Sequence, residues 1–239
     1  MEAASQNASP PRVLAWATNP VCALYRLQGP LSQLARDGHI DLFITEVFDQ
    51  NVYEKLLTWA QIFVVQRARI DDTLRHVIKE AQRAGIRVVY EIDDDLLAIS
   101  SCPKLKNFMT ADDLTAIEEG LSLADRIHVS TQMLAERYAR FGEVCLLENA
   151  FPVEPPPLQS MSDKAASLRV FYGAGRWHTP DWHYVVKALE TNLERAAITA
   201  GKTIQVELMG ATWVPPESST WVQYTVKAPA PWTTYLQAM

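Results

Sequence analysis

From residue 13 onward, short apolar runs alternate along the chain with longer segments in which apolar and polar positions are mixed. Apolar runs of about four to eight residues are typical of buried strands, and amphipathic segments between them are typical of helices. This alternation predicts βαβ units and hence a parallel sheet. In the first part of the chain, the predicted strands are 13–17, 40–45, 61–66, 86–92, 126–130 and 143–148.

Four segments between these strands have the composition of helices. They are 20–37, 71–84, 111–123 and 132–141. Pro30, in the sequence QGP at 28–30, should break or restart the first helix, because proline in mid-helix costs ~3 kcal/mol and fits best in a first turn. Gly85 is placed to end the second helix.

Prolines concentrate in the segment NAFPVEPPPLQSMSDKAAS, residues 149–167, whose four prolines and scattered polar residues are typical of an interdomain linker. After it, strands are predicted at 168–174, 203–210 and 221–227, with a helix at 180–200. We therefore predict a disordered tail at 1–11, a first domain at 12–150, a linker at 151–167 and a second domain at 168–239. Since a doubly wound half usually has about five or six strands, the second domain is predicted to be incomplete.

Charge and cysteine content exclude several classes of protein. A net charge of −6 argues against general nucleic-acid binding, which needs a basic face to neutralise phosphates. Cys22, Cys102 and Cys145 are odd in number and lack metal-site spacing, so neither a disulfide framework nor a zinc site is predicted. The first residues lack the features of a signal peptide, and no stretch approaches the ~18 apolar residues of a membrane span, so we expect a cytoplasmic protein.

Three consecutive carboxylates, Asp93, Asp94 and Asp95, follow the predicted strand at 86–92. Like charges this close repel one another, and in open α/β sheets ligands bind outside the carboxyl ends of the strands. The aspartates could therefore supply a general base, bind the hydroxyl groups of a sugar or hold a divalent cation. The alternative is a solvated loop in which one aspartate caps the next turn.

The segment ATNPVCALYRLQGP, residues 17–30, joins the first strand to the following helix. Its backbone N–H groups and the helix dipole could bind an anion, and Arg26 could add a bidentate contact to a phosphate or carboxylate. Alternatively, Tyr25 and Leu27 belong to the core and Arg26 is a surface charge. The segment lacks a G-x-G-x-x-G pattern, so a nicotinamide-type site is not supported.

The segment GAGRWHTPDW, residues 173–182, is typical of a strand, a tight loop and a helix N-terminus. Gly173 and Gly175 permit close approach of the backbone to a ligand. Arg176 would then direct its guanidinium at that ligand, plausibly a diphosphate, and His178 could hydrogen-bond the same group. The alternative is ordinary loop chemistry without a ligand.

Four stretches together resemble a known family. In chain order they are CALYRLQGPLSQLARDG, VVYEIDDDLLAI, ADRIHVSTQMLAERYARFGEVCLLENAF and VFYGAGRWHTPDW. They resemble the retaining glycosyltransferases of the GT-B superfamily, most closely the family-4-like bacterial and phage proteins that carry a YEIDDD element. The resemblance spans roughly residues 12–195 and depends on the order and spacing of the stretches rather than on any single motif.

The resemblance implies two Rossmann-like domains that face each other across a cleft, with the linker as the hinge. The first domain would hold an acceptor hydroxyl of a glycan, a lipid-linked glycan or a protein, and the second would hold a nucleotide-sugar donor. Although Asp93-x-Asp95 matches the metal-binding D-x-D pattern of the GT-A fold, GT-B enzymes generally work without a metal, so neither a metal nor another cofactor is expected.

The resemblance also assigns roles to residues of this chain. Asp93 or Asp94 would contact the acceptor hydroxyl or act as the base. The donor phosphates would lie against the residues of the second-domain junction, Gly173, Gly175, Arg176 and His178. The acceptor side of the cleft would be formed by Asn19, Tyr25, Arg26, Asp95 and Asn149, the last of which belongs to the family's element at the end of the first domain.

The sequence departs from the family late in the second domain. The family's Glu-x7-Glu pair is missing, since Glu217 has no glutamate eight residues later. We therefore expect a fragment of a longer enzyme, a chain completed by a second polypeptide or by self-association, or a protein that binds without turnover. A non-catalytic module that binds carbohydrate or protein is the alternative to a transferase, and a chance match by an unrelated Rossmann-like domain is a third possibility.

Overall fold

The structure is a computed structural model and describes residues 9–101, 109–149, 167–174, 179–210 and 215–228. The chain forms two compact units, Met1–Pro155 and Pro156–Met239. The division between them falls inside the proline-rich stretch in which the sequence predicts the linker.

Unit 1 contains a six-stranded sheet whose neighbouring strands are all parallel. Its spatial order is β2-β1-β3-β4-β5-β6. The strands are β1 Arg12–Trp16, β2 Asp41–Thr45, β3 Ile62–Gln66, β4 Arg87–Ile92, β5 Arg126–Val129 and β6 Val144–Leu146. The central strands are short and mostly apolar, as expected for strands that are covered on both faces.

Helices connect these strands. They are α1 Pro20–Ala23, α2 Gly29–Arg36, α3 Gln50–Trp59, α4 Asp72–Arg83, α5 Ala111–Leu123 and α6 Gln132–Tyr138. A π-helical segment, Leu24–Gln28, joins α1 to α2, and a 3-10 helix, Leu96–Ser101, follows β4. Most of the helices begin at a side chain that accepts a backbone N–H, namely Asn19, Asp49, Asp71, Thr110 and Thr131.

Successive side chains of a strand point to opposite faces of the sheet, so the core of unit 1 is divided between the two faces. In β1, Leu14 packs into a large cluster with residues of α3 to α6, while Val13 and Ala15 pack into a smaller cluster. The smaller cluster contains Ala23 of α1 and Leu27 of the π-helical segment. Helices therefore cover both faces of a parallel sheet, which is a doubly wound arrangement.

Unit 2 contains a three-stranded parallel sheet in the order β7-β8-β9. Its elements are β7 Ser167–Ala174, α7 Thr179–Ala200, β8 Thr203–Gly210 and β9 Val222–Lys227. A separate core joins Trp182 and Ala197 of α7 to the buried face of the sheet. None of the helices in the described part of the chain has the length and apolar character needed to cross a membrane.

The predicted fold class is confirmed as α/β, with two parallel sheets. The sequence prediction omitted α3 altogether. The break expected at 28–30 is a change of helix type, in which the π-helical segment ends at Gln28 and α2 starts at Gly29 with Pro30 in its first turn. Proline has no N–H to donate to the preceding turn, so a first-turn position costs it nothing.

Candidate functional site

The strand order places a topological switch point between β1 and β3. The helices after β1 contribute to the smaller core cluster, whereas α4, which follows β3, contributes to the larger cluster on the opposite face. Connections that leave in opposite directions open a crevice at the carboxyl ends of the two strands, where ligands of doubly wound sheets bind. Two contacts join the strand ends there: the Thr18 hydroxyl donates to the carbonyl of Gln66, and the Asn19 N–H donates to Gln66 Oε1 at 3.4 Å.

Arg67 is the first residue after β3 and lies beside this crevice. Its φ of 47° is in the left-handed region, which non-glycine residues seldom adopt. Its N–H donates to the carbonyl of Glu91 at 2.8 Å, so the neighbouring strand holds the unusual backbone in place. Strain of this kind persists where surrounding contacts impose it, and such positions cluster at functional sites.

The Arg67 guanidinium pairs with the first two aspartates of the acidic triplet. Its Nη1 lies 3.1 Å from Asp93 Oδ1 and 2.9 Å from Asp94 Oδ2. Burial alone would lower the pKa of Arg67, but the charges of Asp93 and Asp94 keep this pKa above its ordinary value. One cation thus offsets the repulsion between two adjacent carboxylates.

The three aspartates have different environments. The Asp93 side chain is 4% exposed, and the Asp94 side chain is 58% exposed. Asp95 accepts the N–H of Ala98 at 3.2 Å and pairs with Arg137 at 2.7 Å, so it stabilises the start of the 3-10 helix. Of the three, Asp94 is therefore best placed to meet a ligand.

Tyr25 and Cys22 complete the wall around Asp93. The Tyr25 hydroxyl donates to Asp93 Oδ2 at 3.1 Å, and Cys22 Sγ accepts from Arg67 Nη1 at 3.1 Å. Burial, the Cys22 thiol and the charge of Asp93 raise the pKa of Tyr25. Burial also raises the pKa of the Cys22 thiol. Both groups therefore remain protonated near neutral pH, and Tyr25 acts as a hydrogen-bond donor.

Hydroxyl groups fix the backbone of the triplet from below. Ser130 Oγ donates to the carbonyl of Asp93 at 3.0 Å, and the Tyr138 hydroxyl donates to the carbonyl of Asp94 at 2.9 Å. Both donors are buried. The backbone of Asp93 and Asp94 is therefore held by Ser130, which follows β5, and by Tyr138 of α6.

Arg26 lies under the crevice rather than on the surface. Its Nε contacts Glu91 Oε1 at 2.6 Å, and both side chains are 2% exposed. Its Nη1 donates to the carbonyl of Leu147 and, at 3.2 Å, to Asn149 Oδ1. The alternative of Arg26 as a surface charge is therefore wrong, and its guanidinium joins β4 to the segment after β6.

Glu91 carries the most perturbed carboxyl group of the site. Burial raises its pKa to about 7, while the charge of Arg26 opposes the shift. Its Oε2 atom and Nε2 of Gln66 are both buried. Gln66 and Glu91 are register partners in β3 and β4, so their side chains lie on the same face of adjacent strands, and a hydrogen bond from Gln66 also opposes the rise in the pKa of Glu91.

Only part of the predicted donor side lies within the described residues. Gly173 is exposed and belongs to β7, and α7 begins at Thr179, as a strand-to-helix junction requires. Gly175, Arg176 and His178 lie outside the described residues. Within the described part of the chain, no group of three or more metal-ligating side chains is close enough to hold a metal ion.

The structure thus brings together Asn19, Tyr25, Asp93 and Asp94 of the predicted residues and places Arg26 and Asn149 in a network beneath them. Sequence reasoning missed Arg67, Glu91 and Cys22. A signal existed for Arg67, because it directly follows a predicted strand, where ligand-binding residues of such sheets lie.

Comparison with known proteins adds nothing to these assignments. No family model matches the sequence, and no curated protein matches it significantly.

Proposed function

We propose that the chain is a glycosyltransferase, or a glycosyltransferase-like protein, that transfers a sugar from a nucleoside-diphosphate sugar to an acceptor hydroxyl. The observation that carries the proposal is the exposed Asp94 carboxylate, which follows β4 beside the switch point of a doubly wound sheet, pairs with Arg67 and has its backbone carbonyl held by Tyr138. A carboxylate fixed in this way can accept a hydrogen bond from the hydroxyl group of the acceptor substrate. This hydrogen bond increases the electron density on the hydroxyl oxygen, which attacks the sugar.

In this proposal the two neighbouring aspartates have separate roles. Asp94 contacts the acceptor hydroxyl, because more than half of its side chain is exposed, at 58%. Asp93 is a positioning residue, because it is 4% exposed and is held by Arg67 and Tyr25. It fixes Arg67, which in turn orients Asp94.

The donor is proposed to bind to unit 2 at the junction of β7 and α7. An N-terminus of a long helix and backbone N–H groups suit the negative charge of a diphosphate leaving group. Gly173 would allow close approach, and Gly175, Arg176 and His178 would supply further contacts. Charge on the leaving group would then be stabilised by fixed dipoles and a guanidinium.

The direct test is calorimetric titration with UDP, GDP, dTDP and their common sugar conjugates, without added metal, followed by a search for transfer products. Arg176→Ala should weaken nucleotide binding, whereas Arg195→Ala, an exposed arginine of α7, should not. Asp94→Asn should leave nucleotide binding intact and lower transfer by about 100-fold, the low end for loss of a general base. Equal transfer by Asp94→Asn and by Asp112→Asn, an exposed aspartate of α5, would contradict the role of Asp94.

A non-catalytic binding module is the second candidate. It is favoured by the short parallel sheet of unit 2, which has three strands among the described residues. Such a module would bind a carbohydrate or a protein partner at the crevice of unit 1 and show no affinity for any of the nucleotides. Saturable binding of a nucleotide sugar by the folded chain would exclude it.

A further inference from the structure

Strand β7 is a long apolar edge of the sheet in unit 2. Within the described residues it pairs with β8 alone, so no strand of this part of the chain lies along its other side. It has 8 residues, with the sequence SLRVFYGA, and Arg169 is its single charged residue. An edge of this kind presents a row of backbone N–H and C=O groups that pairs readily with a further strand.

The inner face of β7 is also only partly covered. Helix α7 lies mainly over β8 and β9. Beneath it, the β8 side chains Ile204, Val206 and Leu208 are at most 2% exposed. Leu168 and Val170 of β7 are register partners of Ile204 and Val206 and share their face, but they are only partly buried. A strand added beside β7 would therefore bury apolar side chains as well as backbone groups.

The other edges of the two described sheets are protected against pairing. At the opposite edge of the same sheet, β9 carries the exposed polar residues Gln223, Thr225 and Lys227. In unit 1, β6 has only 3 residues, and Lys55 Nζ lies over the Phe43 ring of β2, 4.8 Å from its centroid. Short strands and polar or charged side chains discourage edge pairing. Among these edges, β7 is thus the one that favours an added strand.

The side chains of β7 suit pairing with a second copy of the same strand. In an antiparallel pair related by a twofold axis normal to the sheet, directly opposite residues lie on the same face. With Val170 on the axis, Leu168 lies opposite Tyr172 of the second copy, and Arg169 lies opposite Phe171 of the second copy. No like charges meet, and a guanidinium facing an aromatic ring gains cation–π attraction. A register with Arg169 on the axis would instead place two guanidinium groups against each other.

We propose that unit 2 forms a twofold-symmetric dimer in which β7 pairs antiparallel with β7 of a second copy, with Val170 on the axis. The two three-stranded sheets then form one continuous sheet. Leu168, Val170 and Tyr172 of both copies come together on the face that carries the helices. Identical strands match in length and pattern, as an isologous interface requires. The dimer does not depend on the proposed function, because none of these three side chains is assigned to the crevice of unit 1 or to the donor junction.

Sedimentation analysis of the full chain over a range of concentrations tests the dimer. A discrete, concentration-dependent dimer is expected. Val170→Lys should abolish it, because two lysines would face each other across the axis. The matched control is Val226→Lys, since Val226 lies on the outer strand β9, faces the same side of the sheet and is 43% exposed. This control should remain dimeric, and circular dichroism establishes that both variants are folded.

Disulfide formation tests the register without adding a charge. In Val170→Cys the two introduced cysteines would be directly opposite, with Cα atoms about 4.5–5.5 Å apart, which is within the range for a disulfide. In Leu168→Cys they would be about 14 Å apart, since they are offset by four residues along the strands. Non-reducing electrophoresis should therefore show a linked dimer for Val170→Cys and none for Leu168→Cys. The wild type shows whatever linkage the native cysteines form.

A dimer that is lost in Val170→Lys, kept in Val226→Lys and linked by Val170→Cys alone supports the proposal. A monomer at every concentration, aggregates of no fixed size, or a dimer that survives Val170→Lys overturns it. If Val170→Lys does not fold, the cysteine variants decide, and linkage through Leu168→Cys or no linkage through Val170→Cys overturns the proposal. A monomer whose β7 amides are protected from hydrogen exchange also overturns it, because another segment of the same chain then occupies the edge.

Discussion

Glu91 and Arg26 show how a single buried pair links stability to pH. Burial raises the pKa of Glu91 from 4.5 to about 7 in the folded chain. Between these values the folded state binds a proton that the unfolded state does not bind, so this group makes the protein less stable as the pH rises from about 5 to 7. His128 acts in the opposite direction, because burial lowers its pKa from 6.5 to about 4, and its stabilising effect is lost as the pH falls through that range.

We therefore predict that Glu91→Gln removes a component of the pH dependence of stability. Urea unfolding at several pH values from 5 to 8 should show a smaller loss of stability with rising pH than in the wild type, since glutamine does not titrate. The variant should lie close to the wild type near pH 5, where Glu91 is largely protonated and glutamine offers Arg26 the same neutral Oε1 acceptor, and its stability relative to the wild type should rise with the pH. Glu148→Gln, at an exposed glutamate, is the control. An unchanged pH slope in Glu91→Gln would contradict the assigned direction.

Gly120 shows a second residue-scale constraint. A Cβ atom at this position would lie 2.5 Å from Cε2 and 3.1 Å from Cδ2 of the Tyr90 ring. Tyr90 cannot easily move, because it is 1% exposed and its hydroxyl donates to the carbonyl of Ala68 at 2.8 Å. Gly120→Ala should therefore destabilise the protein by about 1–3 kcal/mol, the range for overpacking a core.

The control for Gly120→Ala is Gly142→Ala, because a Cβ atom there would meet no atom within 4 Å. Both variants add one methyl group, and alanine favours the helix around Gly120 by about 1 kcal/mol, so a lower urea-unfolding midpoint for Gly120→Ala than for Gly142→Ala reports the contact with Tyr90. Equal midpoints for the two variants would show that the Tyr90 ring can yield to the added atom.

At the same scale, the sequence predicts that an acidic triplet follows a strand, but it does not predict the contacts that surround the triplet. An acidic triplet after a strand is visible in the printed residues, and alternation in β4 places Asp93 on the face of Val89 and Glu91. The contribution of Arg67 depends on the spatial neighbourhood of β3 and β4, which requires the strand order. Its positive φ is set by the contact to Glu91 and has no signal in local composition.

Helix α5 shows how the ends of an element are determined. Thr110 accepts the N–H of Asp113 at 3.1 Å, and Asp113 accepts the N–H of Thr110 at 2.9 Å, which is a reciprocal capping box. The Thr110 hydrogen bond also lowers the pKa of Asp113, so the carboxylate stays charged at the positive end of the helix.

Removing this cap should cost the protein a measurable fraction of its stability. Thr110→Ala is expected to lower the free energy of unfolding by about 1 kcal/mol, because the N–H of Asp113 at the helix start loses its side-chain acceptor. Thr115→Ala, in the same helix, removes only a hydrogen bond to the Ala111 carbonyl within the helix and should change stability little. Chemical denaturation of both variants tests this assignment. A larger loss of unfolding free energy in Thr115→Ala than in Thr110→Ala would contradict it.

Elements with a strong local signal were predicted closely, and those set by tertiary context were not. The helix predicted at 111–123 matches α5, and the strand predicted at 203–210 matches β8. The π-helical segment Leu24–Gln28 was not foreseen, because its register places Arg26 against Glu91 on a distant strand. A wider helical turn of this kind often occurs at functional sites and depends on long-range contacts.

At the scale of the whole molecule, the two units have separate cores. Both core clusters of unit 1 consist of residues of that unit, and the cluster around Trp182 and Ala197 consists of residues of unit 2. In the described part of the chain, every strand pair also lies within one unit.

We therefore predict that residues 9–155 fold when expressed alone. This fragment keeps the six-stranded sheet, its helices on both faces and every described member of its two core clusters. Circular dichroism should show a cooperative thermal transition, and the amides of the central strands β1, β3 and β4 should be protected from hydrogen exchange as in the full chain.

The matched control is residues 9–123, which lacks β5 and β6 and so loses Ile127 and Val129, both 0% exposed in the folded unit. This shorter fragment should not unfold cooperatively, because deleting these side chains exposes the inner face of β4. An unfolded 9–155 fragment would instead mean that unit 1 depends on unit 2 for its stability, despite the separation of their cores.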